Sequence, residues 1–129
     1  MQAISTQLTE AQQTFLKNYR ELLTEVESAI NYVSECYIKN DHDIGDRLLK
    51  SVMQGLIPYN EENLTIQSIF QKDAEAIEAL NLFQEAALQA EKVEEVFPHE
   101  QERMVFLHET LLPRKRNWTK IIDKYIMTH

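Results

Sequence analysis

The stretch TEAQQTFLKNYRELLTEVESAINYVSECYIKN, residues 9–40, decides the fold. Phe15, Tyr19, Leu22, Val26, Ala29, Val33 and Cys36 follow one another in alternating steps of four and three, a heptad seam. Leu16, Leu23, Ile30 and Tyr37 run beside it. They widen the seam into a stripe broader than a two-stranded coiled coil needs, the width that suits a bundle core. Thr9 followed by Gln12 has the spacing of a capping box and places the helix start there. No Gly or Pro interrupts the pattern before Gly45. A helix of roughly 30 residues is about 45 Å long at 1.5 Å per residue, and the rest of the chain must cover its apolar flank.

Outward from that helix the chain supplies the cover. Asn40 to Asp43 reads as a polar turn in which Asp41 or Asp43 caps the next helix. Ile44, Leu48, Leu49, Val52, Met53, Leu56 and Ile57 keep the helical period until Pro58, which lacks an amide hydrogen and ends or kinks the helix. Gly55, late in that helix, reads as a close helix–helix contact, with a hinge or ligand gap as the sharper alternative. After a turn over Tyr59 to Asn63, Leu64 to Phe70 forms a short helix or irregular segment. A strand is rejected there because it has no pairing partner. Asp73 caps a third main helix, slim with alanine, that runs towards Phe97 and Pro98. A fourth starts near His99 and carries Met104, Leu107, Leu111, Trp118, Ile122 and Tyr125, with Pro113 inside it as a kink or a split. The expectation is all-α: an up-and-down antiparallel bundle of four main helices with a short fifth and proline kinks near Pro58 and Pro113. It occupies residues 1–129 as one domain, with 1–8 a frayed lead-in.

Composition narrows function by exclusion. Two Gly and three Pro argue against a turn-rich β fold. No apolar run approaches the ~18 residues of a membrane span, and the first ten residues lack a basic-then-apolar leader pattern, so a cytoplasmic location is expected. The single Cys36 lies on the helical stripe and reads as a small buried hydrophobe. A net charge of −8 disfavours nucleic acid and anionic membranes as partners.

Chemistry-bearing patterns are sparse. His42, His99, His108 and His129 form neither Glu-x-x-His pairs nor an i, i+4 histidine arm, so no metal ligands are assigned. With only Gly45 and Gly55 there is no phosphate loop, and no cofactor is expected. Two charge segregations remain. Glu91, Glu94, Glu95, Glu100 and Glu102 gather at the corner between the third and fourth helices. They read as a solvated end, with a docking site for a basic partner or a weak cation site as alternatives. Arg114, Lys115 and Arg116, followed by Trp118, form a candidate basic surface. If the third and fourth helices are antiparallel, Glu75, Glu78 and Glu85 face Arg114, Arg116, Lys120 or Lys124.

Leu48-Leu49 with Met53-Gln54-Gly55-Leu56, the stretch from Glu75-Ala76, and Leu111-Leu112-Pro113 with Trp118 resemble, in layout, small cytoplasmic helical proteins of Bacillus-like bacteria. That group has no assigned activity, so the resemblance implies a helical fold and transfers no site residue. The functional expectation is a non-catalytic protein that acts by binding another protein or a second copy of itself, as an accessory or chaperone-like module. The alternative is a small-molecule-binding protein or enzyme with a pocket near Gly55, Pro58 and Tyr59.

Overall fold

A computed structural model describes residues 8–128. The expected frayed lead-in falls on residues 1–7, outside the described residues, as does His129; Leu8 itself packs half-buried against the core. Among the described residues all regular structure is helical.

Helix α1 spans Glu10–Ile38. Its capping box is formed in both directions: the Gln12 amide donates to Thr9 Oγ1 at 3.0 Å, and the Thr9 amide donates to Gln12 Oε1 at 2.9 Å. The α1 residues that join the main core cluster are Leu16, Tyr19, Leu23, Val26, Ile30, Val33 and Tyr37, and Cys36 is buried beside them. The cluster members too advance by three and four, and they share Tyr19, Val26 and Val33 with the Phe15–Cys36 seam, so the buried stripe is turned only part of a step from it, with Phe15 and Leu22 half-buried on its shoulder. The reason is that α1 is covered from two sides, by α2 and by the C-terminal helix, and a stripe clamped from both sides buries its midline deepest.

The chain reverses at Asn40, whose φ of 65° is left-handed, a conformation that Asn tolerates better than most residues. Helix α2, His42–Leu56, starts after Asp41, which makes no side-chain cap. Gly45 faces Tyr37 so closely that a Cβ would lie 2.8 Å from the ring. Gly55 looks into open space, with nothing within 4 Å of a Cβ. The close contact is therefore at Gly45 and not, as its place in the pattern suggested, at Gly55. Ile44 is turned to solvent for the same reason, because Gly45 and Asp46 occupy the inward positions beside it.

Pro58 lies just beyond the end of α2, in a turn held by asparagine side chains: Asn60 Nδ2 donates to the Ile57 carbonyl and Asn63 Nδ2 to the Pro58 carbonyl. Asn63 then caps the short helix α3, Leu64–Phe70, by accepting from the amides of Thr65 and Ile66. Helix α4, Ala74–Glu91, is capped by Asp73 and buries Ala76, Ala79, Ala86, Ala87 and Ala90 around Leu80 and Phe83. It ends at Glu91, and a single turn, α5, Val93–Val96, precedes Pro98.

The last helix begins as α6, Glu100–Phe106, passes through a π turn at Leu107–Leu111 and continues as α7, Leu112–Thr128. The Leu112 amide bonds the Leu107 carbonyl, five residues back. Pro113, exposed just after it, cannot donate an amide, and the one-residue slip of the π turn absorbs the irregularity without breaking the helix in two.

α1 lies beside α2 and α7, and α4 lies beside the same two, which closes a four-cornered bundle. Directions alternate: Arg20 near the start of α1 pairs with Asp123 near the end of α7, and Gln84 of α4 donates to the Leu56 carbonyl at the end of α2. The core carries an aromatic cap at one end, where Phe70 tilts on Trp118 at 5.2 Å and Trp118 Nε1 donates to Tyr19 Oη at 2.8 Å.

Candidate functional site

Polar chemistry concentrates in two stations between helices, and one apolar strip lies on the outside. The first station lies at the α1–α2 turn. Tyr37 Oη donates to Asp46 Oδ1 at 2.6 Å, and Arg103 Nη1 donates to Asp46 Oδ2 at 2.8 Å. Arg103 Nε reaches the Phe97 carbonyl at 2.8 Å and Nη2 the Pro98 carbonyl at 3.3 Å. Asp46 and Arg103 are both buried, so this is an ion pair satisfied by hydrogen bonds on both partners, the condition under which such a pair tolerates desolvation. Burial pushes the Tyr37 phenol up, and the Asp46 bond and charge push it further. His42 stacks on Tyr37 at 5.2 Å, and its Nδ1 lies 3.3 Å from Glu100 Oε2. An open hollow of about 640 Å³ lies over these groups, with Asn40, His99 and Gln101 on its rim. The station docks the loop before α6 onto the α1–α2 hairpin, and Arg103 has committed donors to three acceptors in doing so.

The second station lies between α1 and α7. Lys115 is buried, and its Nζ donates to Glu27 Oε1 at 3.0 Å; Arg116 Nε reaches the same oxygen at 3.3 Å. Burial raises the Glu27 carboxyl, but the hydrogen bonds and charges of Lys115 and Arg116 outweigh it and leave the group below the ordinary carboxylate range. Arg20 and Lys120 complete a groove of about 410 Å³ that also presents Thr24, Ser28 and Asn31.

The third feature is the outer side of α4. Ala74, Ile77 and Leu82 line a shallow concavity of about 510 Å³ with Gln71, Glu78, Asn81 and Glu85. Leu82 is 41% exposed and Leu88, further along, 50%, large values for leucines in the middle of a bundle helix.

The residues singled out from the sequence are dispersed by the fold. Of the acidic corner, Glu91 turns to α2, where it accepts from Gln54 at 3.3 Å and lies 4.0 Å from Lys50. Glu100 faces His42, and Glu94, Glu95 and Glu102 are exposed. The basic run is split three ways: Arg114 bonds the Leu82 carbonyl and Glu85, Lys115 is interior, and Arg116 faces Glu27. Of the cross-helix pairs expected for an antiparallel packing, Arg114–Glu85 is formed at 3.2 Å. At the broken end of α2, Gly55 and Pro58 are exposed while Tyr59 turns inward onto Tyr19 at 4.9 Å. Gln84 Nε2 seals that corner by donating to the Leu56 and Tyr59 carbonyls. Cys36 is buried. Sequence reasoning missed Asp46 and Arg103. Their signal was a charged residue on the core side of each helical period, beside Leu49 and Phe106.

A family model for a domain of unknown function, DUF8042, matches residues 14–121. The chain belongs to that family. The matched region holds both polar stations and the outer strip of α4. No curated protein and no solved structure matches the chain. Among the described residues no group of three or more His, Cys, Asp or Glu is placed to hold a metal ion, and no helix is long and apolar enough to cross a membrane.

Proposed function

We propose that the protein is a non-catalytic binding module of the cytoplasm that recognises a basic amphipathic helix of a partner protein on the outer side of α4. The observation that carries this reading is the apolar strip Ala74, Ile77 and Leu82, edged by the carboxylate of Glu78 and by Glu85, which already holds Arg114, on a helix whose opposite side is wholly interior. An apolar helix face seated on that strip removes Ile77 and Leu82 from water. Lysines or arginines on its flanks complement Glu78 and the net charge of −8, which favours encounter and orientation more than affinity. The buried ionisable groups support the reading as well: Asp46 and Arg103 satisfy each other and the neighbouring backbone, an arrangement suited to holding helices in place.

The test is calorimetric titration with a synthetic helical peptide that has a leucine face and lysine flanks. Saturable binding is expected, lost in Leu82→Asp and kept in Leu64→Asp, which alters an exposed leucine on α3. Binding that survives Leu82→Asp, or no binding at all, contradicts the proposal. A self-association that Leu82→Asp abolishes would replace the partner helix with a second copy of this chain.

A further inference from the structure

We infer that the groove between α1 and α7 is a binding site for a small linear oligophosphate, alone or as part of a nucleotide. Arg20, Lys115, Arg116 and Lys120 line it, against one carboxylate, Glu27. A single oxygen of that carboxylate receives both Lys115 Nζ at 3.0 Å and Arg116 Nε at 3.3 Å. One negative charge thus serves two cations, one of them buried, and the local balance is positive in a chain of net charge −8. Asp123 offsets Arg20 at 2.6 Å and leaves Lys120 and the Lys115–Arg116 pair as the surplus.

The spacing selects the ligand. Arg116 and Lys120 are one turn apart on α7, about 6 Å along the axis, so their cations stand in a row along the groove and a ligand that carries several negative charges in line gains more from them than a single phosphate does. The Arg116 guanidinium keeps its Nη donors for a phosphate oxygen, the fork geometry that binds such oxyanions best. Ser28 offers a hydroxyl from the α1 wall. The surrounding negative field disfavours long polyanions such as nucleic acid, whose distal charges meet it, and leaves a compact, highly charged ligand as the class that gains.

The experiment titrates the full chain, at low ionic strength, with inorganic tripolyphosphate, orthophosphate and a nucleoside triphosphate. Tripolyphosphate is expected to bind at one site and orthophosphate to bind at least about tenfold more weakly. Arg116→Glu and Lys120→Glu, both at exposed positions, are each expected to weaken tripolyphosphate about tenfold. Arg47→Glu, an exposed base on α2, is expected to leave binding unchanged. A nucleoside triphosphate that binds as tightly as tripolyphosphate supports a site for the phosphate chain alone; tighter binding supports a nucleotide. Absence of tripolyphosphate binding, equal binding of orthophosphate, or an equal loss in Arg47→Glu overturns the assignment.

Discussion

At Gly45 and Asp46 two neighbouring residues set how closely α2 approaches α1. The missing Cβ of Gly45 lets the Tyr37 ring lie against the α2 backbone, and that ring then delivers its hydroxyl to Asp46. Gly45→Ala places a methyl 2.8 Å from Tyr37 Cε1 and is expected to destabilise the fold by about 1–3 kcal/mol despite the better helix propensity of Ala. Gly55→Ala meets nothing within 4 Å and is expected to stabilise by up to about 1 kcal/mol. Urea denaturation of the two variants checks the opposite signs. Arg103→Met strands the buried Asp46 and is expected to cost about 3–5 kcal/mol, whereas Arg103→Met with Asp46→Leu recovers much of that loss. A double-mutant cycle reads the coupling. Neither glycine's role was legible in the chain, because both have the same identity and similar helical surroundings; what separates them is a ring on another helix.

Among the elements, α1 was the most legible. Its start at Thr9, its length and its apolar width all follow from side-chain spacing and a local capping pattern, and the structure forms both halves of that cap. Thr9→Ala is expected to lower stability by about 1 kcal/mol, measured by thermal unfolding, because an orphan amide at the first turn loses its acceptor. The midline of the stripe was less legible: two interleaved heptad sets fit the same sequence, and the choice between them depends on where α2 and α7 stand. The π turn before Pro113 follows the same pattern. The proline announces an irregularity, but a kink, a split and a slipped turn are alternative local responses, and the packing of Leu107 and Leu111 against the core goes with the last. Asp46 and Arg103 escaped because the apolar period was read through them, and a charged residue at a core position is interpretable only with its partner in view.

For the molecule as a whole, the polar stations bound stability at both ends of the pH scale. The Glu27 carboxyl is lower in the folded state than its ordinary value of 4.5, so the unfolded chain binds the proton more readily. This contribution is fully present above the unfolded carboxyl range and is lost as pH falls through the folded value. Stability is expected to fall as pH drops through and below 4.5, and Glu27→Gln is expected to flatten that slope. Tyr19, Tyr37 and Tyr125 are all raised above 10.0, chiefly by burial, so their contribution is present below about pH 10 and is lost as pH rises. Phenolate absorbance should show these three rings ionising together with the loss of helix, not ahead of it.

The bundle itself is the claim on which the stations, the groove and the α4 strip all depend: α1 is sealed along its length by α2 and the α6–α7 helix of the same chain. Hydrogen exchange of the amides from Leu16 to Tyr37 tests it most directly. The account predicts that these amides exchange together, at the rate of global unfolding, and that they do so at protein concentrations where the chain is monomeric. Exchange of that stretch at the rate of an unprotected peptide, or protection that vanishes on dilution, would contradict it.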